Sequence, residues 1–93
     1  MREIRQTSTF KRDLKREAKG QHRDFLAKHL AKIIEALAND GPLDAKHRDH
    51  PLAGEWKDHR DCHIRPDLVL IYRTPDNSTL QLVRLGSHAE LSL

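Results

Sequence analysis

Residues 59–86 read HRDCHIRPDLVLIYRTPDNSTLQLVRLG, and this stretch decides the fold. At its centre Leu68, Val69, Leu70, Ile71 and Tyr72 are apolar at successive positions, the pattern of a strand covered on both faces. That strand is expected over about 67–74. On its C-terminal side Pro75-Asp76-Asn77-Ser78 supplies turn chemistry, and Leu80, Leu82, Val83 and Leu85 mark a partner strand over 79–86, so the two form a hairpin. On its N-terminal side another strand is expected over 59–64. Alternation with period two sends Cys62 and Ile64 into the core and leaves Asp61, His63 and Arg65 together on the opposite face. If the last strand runs to its end, Arg84 and His88 also share a face.

Working outward, the first half of the chain has helical periodicity. A short strand at 2–6 precedes Thr7 or Ser8, either of which can accept a bond from the first free amides of a helix over about 8–19. Its apolar positions Phe10, Leu14 and Ala18 make a narrow stripe, flanked by Lys11, Arg12, Lys15, Arg16 and Lys19, and Gly20 ends it. Phe25, Leu26, Leu30, Ile33, Ile34 and Leu37 then mark a second amphipathic helix over about 22–39, stopped by Asn39, Gly41 and Pro42. So short a connection makes the two helices an antiparallel hairpin. Residues 43–57 (LDAKHRDHPLAGEWK) have no clean period and are expected to be an ordered loop with at most one helical turn. The expectation is a single α+β domain over 1–93: an N-terminal strand and an antiparallel helical hairpin packed on a mainly antiparallel sheet.

Composition narrows the function. A chain of 93 residues has room for one modest core, and 37% hydrophobic residues is enough to fill it. Residues 1–32 hold ten Lys and Arg against four Asp and Glu, so the basic charge is concentrated at one end, where it can meet a polyanion. A basic helix stripe is also what any solvated face carries. Cys62 is the lone cysteine; it excludes an internal disulfide, fits a reducing compartment, and is read as a small buried residue. No apolar run approaches the ~20 residues that span a bilayer, and MREIRQTSTF has no hydrophobic signal core, so a soluble, cytoplasmic protein without a membrane partner is expected.

Seven histidines is a high count, and His47, His50, His59, His63 and His88 all fall in loop, strand and tail segments. With Arg84 they include the ingredients for cutting RNA without a cofactor. A base takes the 2′-hydroxyl proton, a cation stabilises the phosphorane, and an acid protonates the leaving 5′-oxygen. Imidazole suits both proton transfers and guanidinium suits the phosphate. The same residues would also serve simply as the exposed polar face of a small sheet. His47-x2-His50 and His59-x2-Cys62-His63 invite a metal reading, but neither has zinc-finger spacing, and no metal is expected. Trp56 either stacks on a base or anchors the loop.

The run Lys46 to Asp67 (KHRDHPLAGEWKDHRDCHIRPD), then LVLIY at 68–72, then Arg84-Leu85-Gly86-Ser87-His88, closely resembles the YafQ branch of the RelE toxin family. The shared pattern has the form DHPL-x-G-x-W-K-x-x-R-[DE]-x-H-x-x-P-D, an apolar strand, and R-x-G-x-H. The resemblance implies a RelE-like fold and an mRNA endonuclease that works in the A site of the translating 70S ribosome. It also implies a cognate antitoxin of the DinJ type that silences the enzyme. Carried over by motif, the active-site residues are His50, Asp61, His63, Asp67, Arg84 and His88. In that scheme His88 is the general acid, Arg84 the phosphate clamp and His50 the general base. Asp61, His63 and Asp67 orient the imidazoles or share the base role. The stripe of Lys11, Arg12, Lys15, Arg16 and Lys19, with Trp56, would contact RNA and the ribosome. One departure is the end, Ala89-Glu90-Leu91-Ser92-Leu93, where the family places a Phe that can stack on a codon base. Two rival readings have discriminators of their own. A gyrase inhibitor of the ParE branch has no need of converging imidazoles, and a weakened RNA- or ribosome-binding module would be marked by loss of Arg84 or His88, both of which are present.

Overall fold

The computed structural model describes residues 1–41, 43 and 45–93. Its elements run β1 (Glu3–Gln6), α1 (Ser8–Glu17), α2 (Arg23–Ala38), β2 (His50–Pro51), β3 (Arg60–Arg65), β4 (Leu68–Asp76) and β5 (Thr79–Gly86), with single 3-10 turns at Ala45–His47 and Gly54–Trp56. The five strands form one sheet in the order β1-β5-β4-β3-β2. All neighbours are antiparallel except β1 with β5. The α+β expectation holds, with each expected helix and strand found within two residues of its place. Two features were not foreseen: the two-residue β2 and a second 3-10 turn inside the 43–57 loop. Pro42, read as part of the stop after α2, lies outside the described residues.

The apolar run of β4 is central and buried at every position from Leu68 to Tyr72. Alternation splits it between two clusters. Leu68, Leu70 and Tyr72 face the helices and pack with Phe10, Leu26, Leu30, Ile33 and Leu37, together with Cys62, Ile64, Leu80, Leu82 and Leu85 from the neighbouring strands. Val69 and Ile71 face the other way, where Leu91 of the C-terminal turn covers them with Leu52, Trp56 and Val83 around it. Part of the face expected to lie open is thus a second small core. Gly54, at φ +67, takes the left-handed conformation that opens the Gly54–Trp56 turn and brings Trp56 over this cluster.

Thr7 is the N-cap of α1, its hydroxyl oxygen accepting from the Phe10 amide. The stripe of α1 differs from the expected one, because Ala18 is exposed and Asp13 is buried. The reason lies in the sheet. β1 pairs with β5 only from Thr79 to Leu82, so the edge of β5 beyond that point needs other partners. α1 provides them. The Thr7 hydroxyl donates to the Val83 carbonyl, Asp13 Oδ2 accepts from the Leu85 amide at 3.1 Å, and Arg16 Nη2 donates to the Leu85 carbonyl at 3.1 Å. Among the described residues no helix is long and apolar enough to cross a membrane.

Candidate active site

Strand register assembles the site. His50 of β2 stands opposite Asp61 of β3, Asp61 opposite Ile71 of β4, and Ile71 opposite Arg84 of β5, giving one row across four strands. The next row is His63, Val69 and Gly86, with His88 two residues beyond. Residues more than thirty positions apart in sequence therefore meet on one face.

Asp61 sits at the middle of the cluster, 2% exposed. Its Oδ1 is 2.9 Å from His50 Nδ1, an ion-pair distance without hydrogen-bond alignment, because that nitrogen points its proton at the Arg48 carbonyl 2.7 Å away. With Nδ1–H committed in this way, the neutral His50 ring carries its lone pair on Nε2, free to accept a proton. The rings of His50 and His63 stack with centroids 6.2 Å apart. His63 Nε2 lies 3.0 Å from His88 Nε2, so one proton is shared along that line. Burial pushes the Asp61 carboxyl up from its ordinary value, opposed by the positive potential of His50, His63 and His88. A carboxyl raised in the folded state disfavours folding once it is ionised: this penalty is absent below the unfolded value and complete above the folded one. Asp61→Asn is therefore expected to raise the melting temperature at neutral pH by a few degrees, checked by calorimetry. A variant less stable than the parent at pH 7 would show that the carboxylate is net stabilising.

His88 is carried on a turn with its own scaffold. Ser87 and Glu90 form a reciprocal capping box, the Ser87 amide donating to Glu90 Oε1 and the Glu90 amide to Ser87 Oγ. Leu91, 2% exposed, anchors the turn in the second core, and Trp56 Nε1 donates to the Leu91 carbonyl at 3.2 Å. Gly86 allows the close approach, since a Cβ there would meet Arg16 Nη2 at 3.3 Å and Glu90 Oε1 at 3.4 Å. Leu91 is thus packing material.

Arg84 is held from behind. Its Nε and Nη2 donate to the two oxygens of Asp13 at 2.8 and 3.2 Å. Burial opposes the charge on Asp13, but the Arg84 bond, the Leu85 amide and the guanidinia of Arg84 and Arg16 outweigh it and hold the carboxyl below its ordinary range. Sequence reasoning missed Asp13. An acid set among the basic residues of α1 was its only signal, and its partners lie 71 and 72 residues away.

Three expected site residues sit elsewhere or do other work. Asp67, in the turn between β3 and β4, lies 3.3 Å from Gln21 and 3.4 Å from the buried His22, where it ties that turn to the junction of α1 and α2. Arg16 is bound by Asp13, Glu17 and Glu90 and fastens the C-terminal turn to α1. Trp56 is the loop anchor. Arg65, expected on the His63 face, has been turned onto the helix side by a bulge between His63 and Arg65, and its guanidinium lies 4.8 Å from the Phe25 ring centroid. Lys11, Arg12, Lys15 and Lys19 are exposed on α1 or just beyond it. Cys62 is buried, and burial pushes its thiol up to about 12, which removes it as a nucleophile. Among the described residues no group of three or more His, Cys, Asp or Glu is arranged to hold a metal.

A small α+β domain whose strands β2, β3 and β5 and C-terminal turn bring three imidazoles, a buried carboxylate and a braced arginine to one sheet face has the architecture of the small bacterial toxins. The family model for the bacterial toxin of type II toxin-antitoxin systems, YafQ, matches residues 2–93, and the chain belongs to that family. It is 38% identical over 91 residues to the mRNA interferase toxin YafQ of Escherichia coli K12, covering 97% of this chain and 95% of that protein. Two solved structures share its fold. The metal-bound toxin from Helicobacter pylori superposes with a TM-score of 0.83 at 44% identity, covering 98% of this chain and 99% of the other. The toxin of the E. coli DinJ-YafQ complex superposes with a TM-score of 0.77 at 35% identity, covering 98% of each.

Proposed function

We propose that this toxin is an endoribonuclease that cleaves messenger RNA in the A site of the translating ribosome, and that an antitoxin of the DinJ type silences it in the cytoplasm. One observation carries the reading: His50, Asp61, His63 and His88 converge on a single face beside a braced Arg84. Family membership and the activity of the E. coli relative support the same substrate class.

The geometry suggests a role for each group. His50 Nε2 takes the 2′-hydroxyl proton as the 2′-oxygen attacks phosphorus. Arg84 faces the developing phosphorane charge, its guanidinium kept cationic by the Asp13 bond. His88 gives a proton to the departing 5′-oxygen as the P–O5′ bond breaks, leaving a 2′,3′-cyclic phosphate. His63 fixes the orientation of the His88 ring through the contact between their Nε2 atoms, and Asp61 steadies the positive charge that passes among the three rings. No step calls for a metal. Asp67, assigned by motif to the active site, acts here as a structural tie near it.

A messenger held by a ribosome arrives embedded in polyanion, and Lys11, Arg12, Lys15 and Lys19 offer phosphate contacts. Replacing Lys11, Lys15 and Lys19 together by Glu is expected to weaken ribosome association by at least about 10-fold at moderate salt and to flatten its salt dependence. Sedimentation with 70S particles reads this directly, and unchanged binding would mark the stripe as a solvated face. The reading as a whole is tested by mapping 5′ ends of mRNA incubated with translating ribosomes and purified toxin. Codon-phased cuts are expected, and their absence from a folded, ribosome-bound protein would favour a binding module.

A further inference from the structure

We propose that the hollow at the free edge of β3, beside His63, is a nucleobase subsite that reads a nucleotide flanking the cleaved bond; this deepens the nuclease reading above and rests on it. β2 pairs with β3 only at Arg60 and Asp61, so among the described residues no strand neighbours that edge of β3 from His63 onward. The 3-10 turn Ala45–His47 lies against it instead, and between the two is a hollow of about 250 Å³ whose walls include Phe25, Lys46, His47, His63 and Arg65. That is smaller than the ~300 Å³ at which sites for drug-sized ligands begin, so it suits a single planar ring better than a whole nucleotide.

The walls have base-reading chemistry. The bulge between His63 and Arg65 takes Arg65 off the histidine face and lays its guanidinium against Phe25, whose ring is itself 4.6 Å from that of His29. A guanidinium resting on an aromatic ring offers both a stacking surface and spare donors. His47, 7% exposed, donates its Nδ1 proton to the His63 carbonyl at 2.7 Å. That bond fixes the neutral tautomer and leaves Nε2 as an acceptor, with no partner among the described residues. Donors from Arg65 and an acceptor from His47 match the mixed edge of a base. Among the described residues no carboxylate lines the hollow, and the Arg65 guanidinium in its wall suits an RNA strand. His63 belongs both to this hollow and to the cluster around Asp61, so a base seated here adjoins the groups assigned to the cleaved bond. The cavity that reads sequence and the rings that move protons thus share a wall.

The experiment repeats the 5′-end mapping with messages randomised on both sides of the cut, comparing wild type with Arg65→Ala and Phe25→Ala. The readout is the base profile, not the rate. Wild type should favour certain bases by about 10-fold at one flanking position, and each variant should flatten that preference to about 2-fold or less while cuts continue elsewhere in the profile. A profile unchanged in both variants overturns the subsite, as does a wild type indifferent at every flanking position. Weakened antitoxin binding with an unchanged profile also overturns it, by showing that the hollow seats a protein side chain. If wild type makes no cuts, the nuclease reading fails and the hollow is judged by NMR with a 2′-deoxy tetranucleotide, which cannot be cleaved. Shifts at the His47 ring that disappear in Arg65→Ala then uphold base binding, and no shift refutes it.

Discussion

Replacing His88 by Ala is expected to lower ribosome-dependent mRNA cleavage by about 10²- to 10⁴-fold, the range for losing one acid–base group, with the fold unchanged. Among the described residues the ring's one hydrogen-bonding contact is His63 Nε2, whereas the turn that carries it stands on Ser87, Glu90 and Leu91. The leaving 5′-oxygen then departs unprotonated, and the barrier rises. His63 also loses its neighbour, so restoring a hydrogen-bonding side chain with His88→Gln should recover the geometry without the proton transfer. End-mapping of cleaved message, alongside circular dichroism and growth inhibition, separates the two effects. A fully toxic His88→Ala would remove this residue from the chemistry and shift the acid role to His63.

The second large effect is on stability. Asp13→Ala is expected to destabilise the protein by about 2–4 kcal/mol, from lost hydrogen bonds between charged groups and a buried backbone amide left unpaired, and so to consume a large share of the roughly 5–15 kcal/mol available to a small domain. The change strips Arg84 of its bidentate acceptor, leaves the Leu85 amide without its partner, and loosens Arg16, which also holds Glu90. Arg84 would remain charged but no longer be aimed. Cleavage should therefore fall even where folded protein persists, although Asp13 touches no substrate. Urea denaturation measures the first effect. Cleavage per folded molecule measures the second, and full activity in the folded fraction would mean that Arg84 needs no brace. Because the Asp13 carboxyl is held below its ordinary value, its contribution is present above the unfolded carboxylate range and is lost as pH falls through the lowered native value. Asp61, raised by burial, works in the opposite direction, so Asp13→Ala should also make the protein less sensitive to acid.

Much of the site was legible from alternation alone. Asp61 and His63 were placed on one face and Cys62 and Ile64 on the other because strand period is local and survives in the fold. Arg65 broke the pattern because a bulge inserted after His63 shifts register by one residue, and nothing in His63-Ile64-Arg65 marks where the insertion falls. Arg84 and His88 came together with the others through strand order, not through a shared period: β5 ends at Gly86, and a capped turn carries His88 across to His63. The stacking role imagined for Trp56 gave way to anchoring because a C-terminal leucine needed cover, a need visible only once Leu91 is seen over Val69 and Ile71.

The elements, the two-faced burial of β4, the histidine inventory and the family are all written in local spacing or in a contiguous motif. Which charges act as struts is a matter of tertiary contact. Asp13 and Arg16 look alike in the sequence as members of a charged helix, yet both are spent on the β5 edge that β1 leaves uncovered. Asp67, placed by motif with the catalytic groups, ties two turns together. Such assignments depend on contacts between residues up to 72 positions apart, where the free backbone groups of one strand select their partners from another element, and no local period encodes that choice.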